Sequence, residues 1–266
     1  MPSAALERRE RRELAHFARR RPRIEFAGGG VVGRVLPGGF FTDALSSRLN
    51  GTVRTPFLRQ FERKNVSLLV AGGDFSAERI VVDNAFIAER QKYLVNADPA
   101  CWTLPTFPEM KDRRIYLELA TKASNPNFPP RWGLGVKMTA EQESDPQSWF
   151  GLIRVFEHNT AGAPADELKR FKTLFTGEPP RTAKEAAKRY ARWFRDAVKA
   201  WADDMADEEH VLLLNWLLQN KKLPNGGTPP AKLASLLAEY REVEKRVLPP
   251  QTVNGDRKST RLNSSH

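Results

Sequence analysis

Between Phe26 and about His158, apolar and polar residues alternate in short runs broken by Gly, Pro, Asn and Asp. In "NVSLLVAGGD", Val66, Leu68 and Val70 share a face; in "RRIYLELAT", Ile115, Leu117 and Leu119 lie opposite Tyr116 and Glu118. A period of two is what a strand with one face toward a core requires. "ERIVVDNAFI", "WGLGVKM" and "FGLIRVFEH" predict further strands, while "AGGD", "FPEMKDRR" and "SNPNFPPR" predict turns or loops. Short strands with regular punctuation and no helices between them predict an antiparallel β-sandwich over residues 26–160.

After "NTAGAPAD" the period changes to 3.6. Thr182 and Glu185 have capping-box spacing, and Ala187, Tyr190, Ala191, Phe194, Ala197, Val198 and Trp201 then predict one apolar stripe. A second helix is expected from Asp207 through "HVLLLNWLLQ". A third opens at "TPPAKLASLLAEY", where proline is tolerated in the first turn and Leu233, Leu236, Leu237, Tyr240, Val243 and Val247 align. The expected fold class is therefore α+β, a sandwich followed by a three-helix segment over 161–256. "AALERRERRELAHFARRRP" predicts a charged helical arm over 1–25, because Arg and Glu propagate a helix and Pro22 stops it.

Composition narrows the function classes. The 266 residues include fifteen Phe and six Trp at 40% hydrophobic content, which excludes disorder throughout. The net charge of +11 suggests a polyanion binder until it is located: +4 lies in residues 1–25 and +3 in Arg257, Lys258 and Arg261. The remaining +4 is weak support for nucleic acid, and no such partner is expected. One cysteine, Cys101, excludes an internal disulfide and any cysteine-based zinc or CxxCH haem site within these residues. No run is long and apolar enough to predict a membrane span. The closing "GDRKSTRLNSSH" is small, polar and aperiodic, so 257–266 is expected to be an artefactual or disordered tail on a chain cut from something longer.

Several motifs invite chemistry and lose it on context. Gly28, Gly30 and Gly33 satisfy GxGxxG, but "RVLPGGFF" follows, and Pro37, Gly38 and Gly39 forbid the helix a dinucleotide would need. His16, His158, His210 and His266 stand in separate segments without ligand spacing, so no metal is expected. No nucleophile motif is present, which predicts a non-catalytic chain. Arg181, Lys184, Lys188, Arg192, Arg195 and Lys199 form a cationic helix face, read as a solvated surface with phosphate binding as the alternative. The mixture in "VVDNAFIAERQKYLVNADPACWTLPTF" suits a sugar best. Flat aromatic faces meet its C–H surfaces while Asp and Asn take its hydroxyls, which makes Asp83, Asn84, Tyr93 and Trp102 the candidate ligand-binding residues. A buried Trp is commoner as core than as platform, and Trp102, Trp132 and Trp149 are each read as core ahead of platform.

"GGFFTDALSSRLNGTVRTPFL", "KNVSLLVAGGDFSAERIVVDNAFI", "WTLPTF" and "DRRIYLELAT", followed by "RYARWFRDAVKAW", "LLNWLLQNKKLPN" and "LAEYREVEKRVLPPQTV", resemble the central region of large planctomycete proteins. Those proteins join a cytochrome-c-like domain to two domains of unknown function. The resemblance spans roughly residues 30–255. It implies a galactose-binding-like, jelly-roll sandwich within an exported or envelope-associated protein, contact with polysaccharide and with neighbouring domains, and haem c only in a domain upstream. The expected function is a carbohydrate-binding-like module. A structural or docking module that positions its neighbours is the alternative, and nucleic-acid binding through the basic helix is a third.

Overall fold

The computed structural model describes residues 22–26, 32–58, 65–85, 90–95, 97–105, 113–130, 137–163, 169–223 and 228–248. The N-terminal arm up to residue 21, Gly28 to Gly30, Trp132 with most of its predicted strand, most of "FPEMKDRR" and the 257–266 tail lie outside these residues.

The chain is α+β, with antiparallel sheets first and helices after. Ten strands are described: β1 (Arg23–Phe26), β2 (Val32–Leu36), β3 (Phe40–Phe41), β4 (Thr52–Arg54), β5 (Asn65–Gly73), β6 (Ser76–Val82), β7 (Gln91–Leu94), β8 (Ala97–Pro105), β9 (Ile115–Ala120) and β10 (Trp149–His158). Two four-stranded sheets, in the orders β3-β10-β5-β8 and β4-β9-β6-β7, form the sandwich, and β1-β2 forms a separate ribbon. Residues 23–25, expected from the sequence to end the arm, are thus strand.

The alternation sets the register. Val66, Leu68 and Val70 from one sheet meet Ile115, Leu117 and Leu119 from the other in one buried cluster that also takes in Leu94 and Phe150. Each such side chain contributes roughly 1.5–3 kcal/mol on leaving water, so a one-residue slip would turn the whole set outward.

The β5–β6 turn differs from expectation. It takes only the aspartate of "AGGD" and falls on Asp74 and Phe75, both at positive φ (51° and 59°), while Ala71, Gly72 and Gly73 stay in strand. A two-residue hairpin loop needs that left-handed backbone. Gly72 and Gly73 remain in β5 for reasons of space. A Cβ on Gly72 would come within 2.6 Å of Leu94 Cδ1, and one on Gly73 within 2.8 Å of Trp149 Nε1.

Four helices are described: α1 (Ala140–Ser144), α2 (Ala183–Ala202), α3 (Glu208–Gln219) and α4 (Ala231–Lys245). Thr182 caps α2 by accepting from Glu185 N, but the Glu185 carboxylate accepts from Arg181 N, so the reciprocal half of the expected box is shifted by one residue. In α3 the box closes with histidine: Asp207 accepts from His210 N, and His210 Nδ1 lies 3.4 Å from Asp207 N.

The apolar stripe of α2 is rotated from the one expected. Phe194, Ala197 and Trp201 of that stripe do pack with Leu213, Leu214 and Leu217 of α3, but Trp193 joins them in the core, whereas Tyr190 and Val198 are exposed. Trp193 carries more apolar area than any residue of the expected stripe except Trp201, and burying it decides the rotation.

The ribbon joins the two parts. Leu36 of β2 is buried with Ala71 and Trp149 on the outer face of the first sheet. From α3, Asn215 Oδ1 accepts from Val35 N and Gln219 Nε2 donates to Gly33 O, satisfying backbone groups of β2 that no strand pairs. Gly33 therefore sits within a strand, incompatible with a dinucleotide loop.

Candidate functional site: an acidic cavity between the ribbon and α4

The four sequence-predicted residues do not form one site. Asp83 and Asn84 make the turn after β6, both at positive φ. Asp83 is ion-paired with Arg113 and accepts from Arg114 N at 2.9 Å, and these bonds hold its carboxyl below the usual range. Asn84 Oδ1 lies 3.5 Å from the Tyr116 hydroxyl on the outer face of the second sheet.

Tyr93 points to that same outer face, where its hydroxyl donates to Asn127 O and accepts from Gln91 Nε2 and its ring meets Phe75 and Phe128 edge-on. Trp102 belongs to the opposite sheet. It pairs in register with Leu68 and packs half-buried against the inter-sheet cluster.

A different set of residues converges. A cavity of about 630 Å³, within the usual range for a small ligand, lies between β1, the turn after β3, the start of β10 and α4. The β1 alternation turns Arg23 and Glu25 to one side. A short 3₁₀ turn at Thr42–Ala44 supplies Asp43, and the β5–β6 hairpin supplies Asp74. Trp149 is almost wholly buried and forms part of the wall. Leu237, Tyr240, Arg241 and Glu244 follow at i, i+3, i+4 and i+7, the spacing that puts one helical face on the cavity.

The position of α4 is fixed by hydrogen bonds to the 45–48 segment. Tyr240 donates to Leu45 O at 2.9 Å, Ser46 donates to Glu244 Oε1 at 2.7 Å, and Arg48 Nη1 reaches the carbonyls of Glu244 and Lys245 at 3.0 Å each. Only Leu233, Leu237 and Val247 of the aligned apolar residues are half-buried, while Leu236, Tyr240 and Val243 stay exposed.

Burial governs the cavity's charge. It pushes the Asp43 carboxyl up to about 6, against the opposing pull of Arg23, whose Nη1 lies 2.8 Å from Asp43 Oδ1. Burial also raises Glu25, despite Arg34 and Arg23, and raises Asp74, with Asp145 adding to the effect. The Tyr240 hydroxyl is raised by burial and by Glu244. Carboxylates that accept, guanidiniums that donate and an aromatic wall together can order a polyhydroxylated ligand. Among the described residues no group of three His, Cys, Asp or Glu side chains is arranged to hold a metal ion.

The remaining surface candidate is the cationic face of α2: Arg181, Lys184, Lys188, Arg192, Arg195 and Lys199 are all at the surface, turned away from Trp193 and Ala197. No helix of the described residues is long and apolar enough to cross a membrane. Comparison with protein families, with curated proteins and with solved structures finds no match to this chain.

Proposed function

We propose that this chain is a non-catalytic carbohydrate-binding module, a galactose-binding-like sandwich carried within a larger exported or envelope protein, and that the sugar binds in the cavity between β1 and α4. The observation that carries this reading is the convergence of Glu25, Asp43, Asp74, Arg241 and Tyr240 on one cavity of about 630 Å³. Acidic acceptors beside aromatic rings suit sugar hydroxyls and C–H faces in turn. The likeness of its ordered phrases to the planctomycete proteins supports the same reading. A glycan array and polysaccharide pull-downs of the chain test it: binding should appear with wild type and fall in Arg241→Ala, and an array at background for wild type rejects it.

A docking role for the helices is favoured by one observation. Leu236, Val243 and Leu248 are 54%, 49% and 81% exposed along one stretch. That role predicts binding to neighbouring domains that survives Arg241→Ala and is lost in Leu236→Asp.

A further inference from the structure

The charges and the unmet hydrogen bonds of the cavity are unbalanced in the same direction. Four carboxylates, from Glu25, Asp43, Asp74 and Glu244, face two guanidiniums, from Arg23 and Arg241. Arg23 is already committed to Asp43: Nη1 makes the ion pair and Nη2 donates to Asp43 O at 2.7 Å. Glu25 faces Arg34 across the ribbon, but Arg34 is shared with Asp98, 3.5 Å away.

Buried polar groups without hydrogen bonds collect at the same place. Asp43 is 7% exposed, and its Oδ1, although within ion-pair reach of Arg23, accepts no aligned hydrogen bond among the described residues. Glu25 Oε2 is likewise buried without a hydrogen-bond donor, as is Arg23 Nε without an acceptor. Buried oxygens in that condition cost free energy until a donor arrives, and a buried carboxylate is best met by a donor that also carries positive charge.

We propose that the cavity takes the ammonium group of a cationic sugar, an unacetylated glucosamine unit, between Glu25, Asp43 and Asp74. The proposal rests on the carbohydrate reading above and deepens it. An ammonium brings three donors and a positive charge to a place where acidic acceptors outnumber the cations, Arg23, Arg241 and the Lys122 that faces Asp74, and the sugar ring behind it meets Tyr240 and Arg241. A neutral or acetylated sugar leaves the carboxylates uncompensated, and an acidic sugar meets repulsion.

Calorimetric titration of the whole chain with hexasaccharides of glucosamine, of N-acetylglucosamine and of glucose, below the pKa of the amine and at low salt, tests it. Glucosamine should bind about tenfold more tightly than the other two, the value of one well-placed charge contact. Glu25→Gln and Asp74→Asn should each reduce that preference to about threefold or less. Asn is at home at the left-handed φ of position 74, and Glu25→Gln on the ribbon is an independent check if the turn variant does not fold. Equal binding of the three sugars overturns the amine proposal and leaves the carbohydrate reading standing. A glucosamine preference intact in both variants also overturns it, because the cation is then met elsewhere. Binding of none of the three sinks the reading and the proposal together.

Discussion

The Lys92 ammonium lies 5.3 Å from the centroid of the Trp102 ring, although the two residues come from opposite sheets. Trp102 faces inward with Leu68, so its ring closes the sandwich where the edge strands β7 and β8 approach, and Lys92 covers it. This makes Trp102 a core residue with a charged lid and not a flat platform in water.

Trp102→Ala should accordingly lower the unfolding free energy by about 3 kcal/mol, the low end for a large aromatic because the ring is only half-buried. Lys92→Ala should cost under about 1 kcal/mol, as an exposed cation–π contact does. Denaturant melts measure both. Stability kept in Trp102→Ala with sugar binding lost would move the binding site from the cavity to this edge.

On the outer face of the second sheet, Arg79 and Glu118 form an ion pair of 3.1 Å with each side chain only 2% exposed. Asn125 accepts from Arg79 Nη1 at 2.8 Å, and Arg54 takes the second Glu118 oxygen from the solvent side. Removing Arg79 leaves the buried Glu118 with Arg54 as its remaining cation, so Arg79→Met should destabilise by about 3 kcal/mol, the low end for breaking a buried pair. Arg79→Met combined with Glu118→Gln should cost less than the sum of the single changes, and a double-mutant cycle reads that coupling.

This pair also marks what the sequence discloses and what it does not. Ile115, Leu117 and Leu119 are legible as core because their neighbours alternate with them. Tyr116 and Glu118 are legible as facing the other way, but nothing local announces that Arg79, thirty-nine positions before Glu118, pairs with it, or that Phe57 and Arg54 pack on the Tyr116 ring. The cavity has the same character. Its residues run from Arg23 to Glu244 without a motif, and only the i, i+3, i+4, i+7 run from Leu237 to Glu244 is visible, as a helical stripe that draws attention to its apolar members. The candidate set of Asp83, Asn84, Tyr93 and Trp102 rests on chemistry and proximity in sequence. Strand alternation divides it, because Tyr93 and Trp102 point away from each other's sheet faces.

Arg48 ties the cavity wall to the sandwich. Its Nη1 reaches the carbonyls of Glu244 and Lys245 in the last turn of α4 and of Val247 just beyond it, where the helix end leaves acceptors unpaired and favours a cation. Arg48→Ala should lower stability by about 1 kcal/mol or less, since the site is partly exposed. The larger effect is expected in dynamics. Amide exchange along α4 should accelerate while that of β5 and β9 is unchanged, and affinity for the sugar should fall because Tyr240, Arg241 and Glu244 are no longer held in place. Unchanged exchange in α4 would show that the helix is positioned by its other contacts.

Asp43 sets the pH response. Its carboxyl is raised from 3.8 to about 6, so between those values the folded chain holds a proton that the unfolded chain has released. Where the folded state binds more protons, stability falls as pH rises. The contribution is therefore fully present below the unfolded value and lost as pH passes through the folded one. The loss amounts to about 3 kcal/mol, because every pH unit separating the two values is worth roughly 1.4 kcal/mol. Asp43→Asn cannot titrate, so the stability of wild type relative to this variant should decline from about pH 4 to about pH 7. Chemical denaturation of both chains across that interval measures it, and a constant difference would mean that Asp43 is solvated. The same group reports ligand charge. An ammonium bound beside Asp43 favours the ionised carboxylate, so saturating glucosamine hexasaccharide should move the midpoint of that decline below about 6, whereas the glucose hexasaccharide should leave it in place.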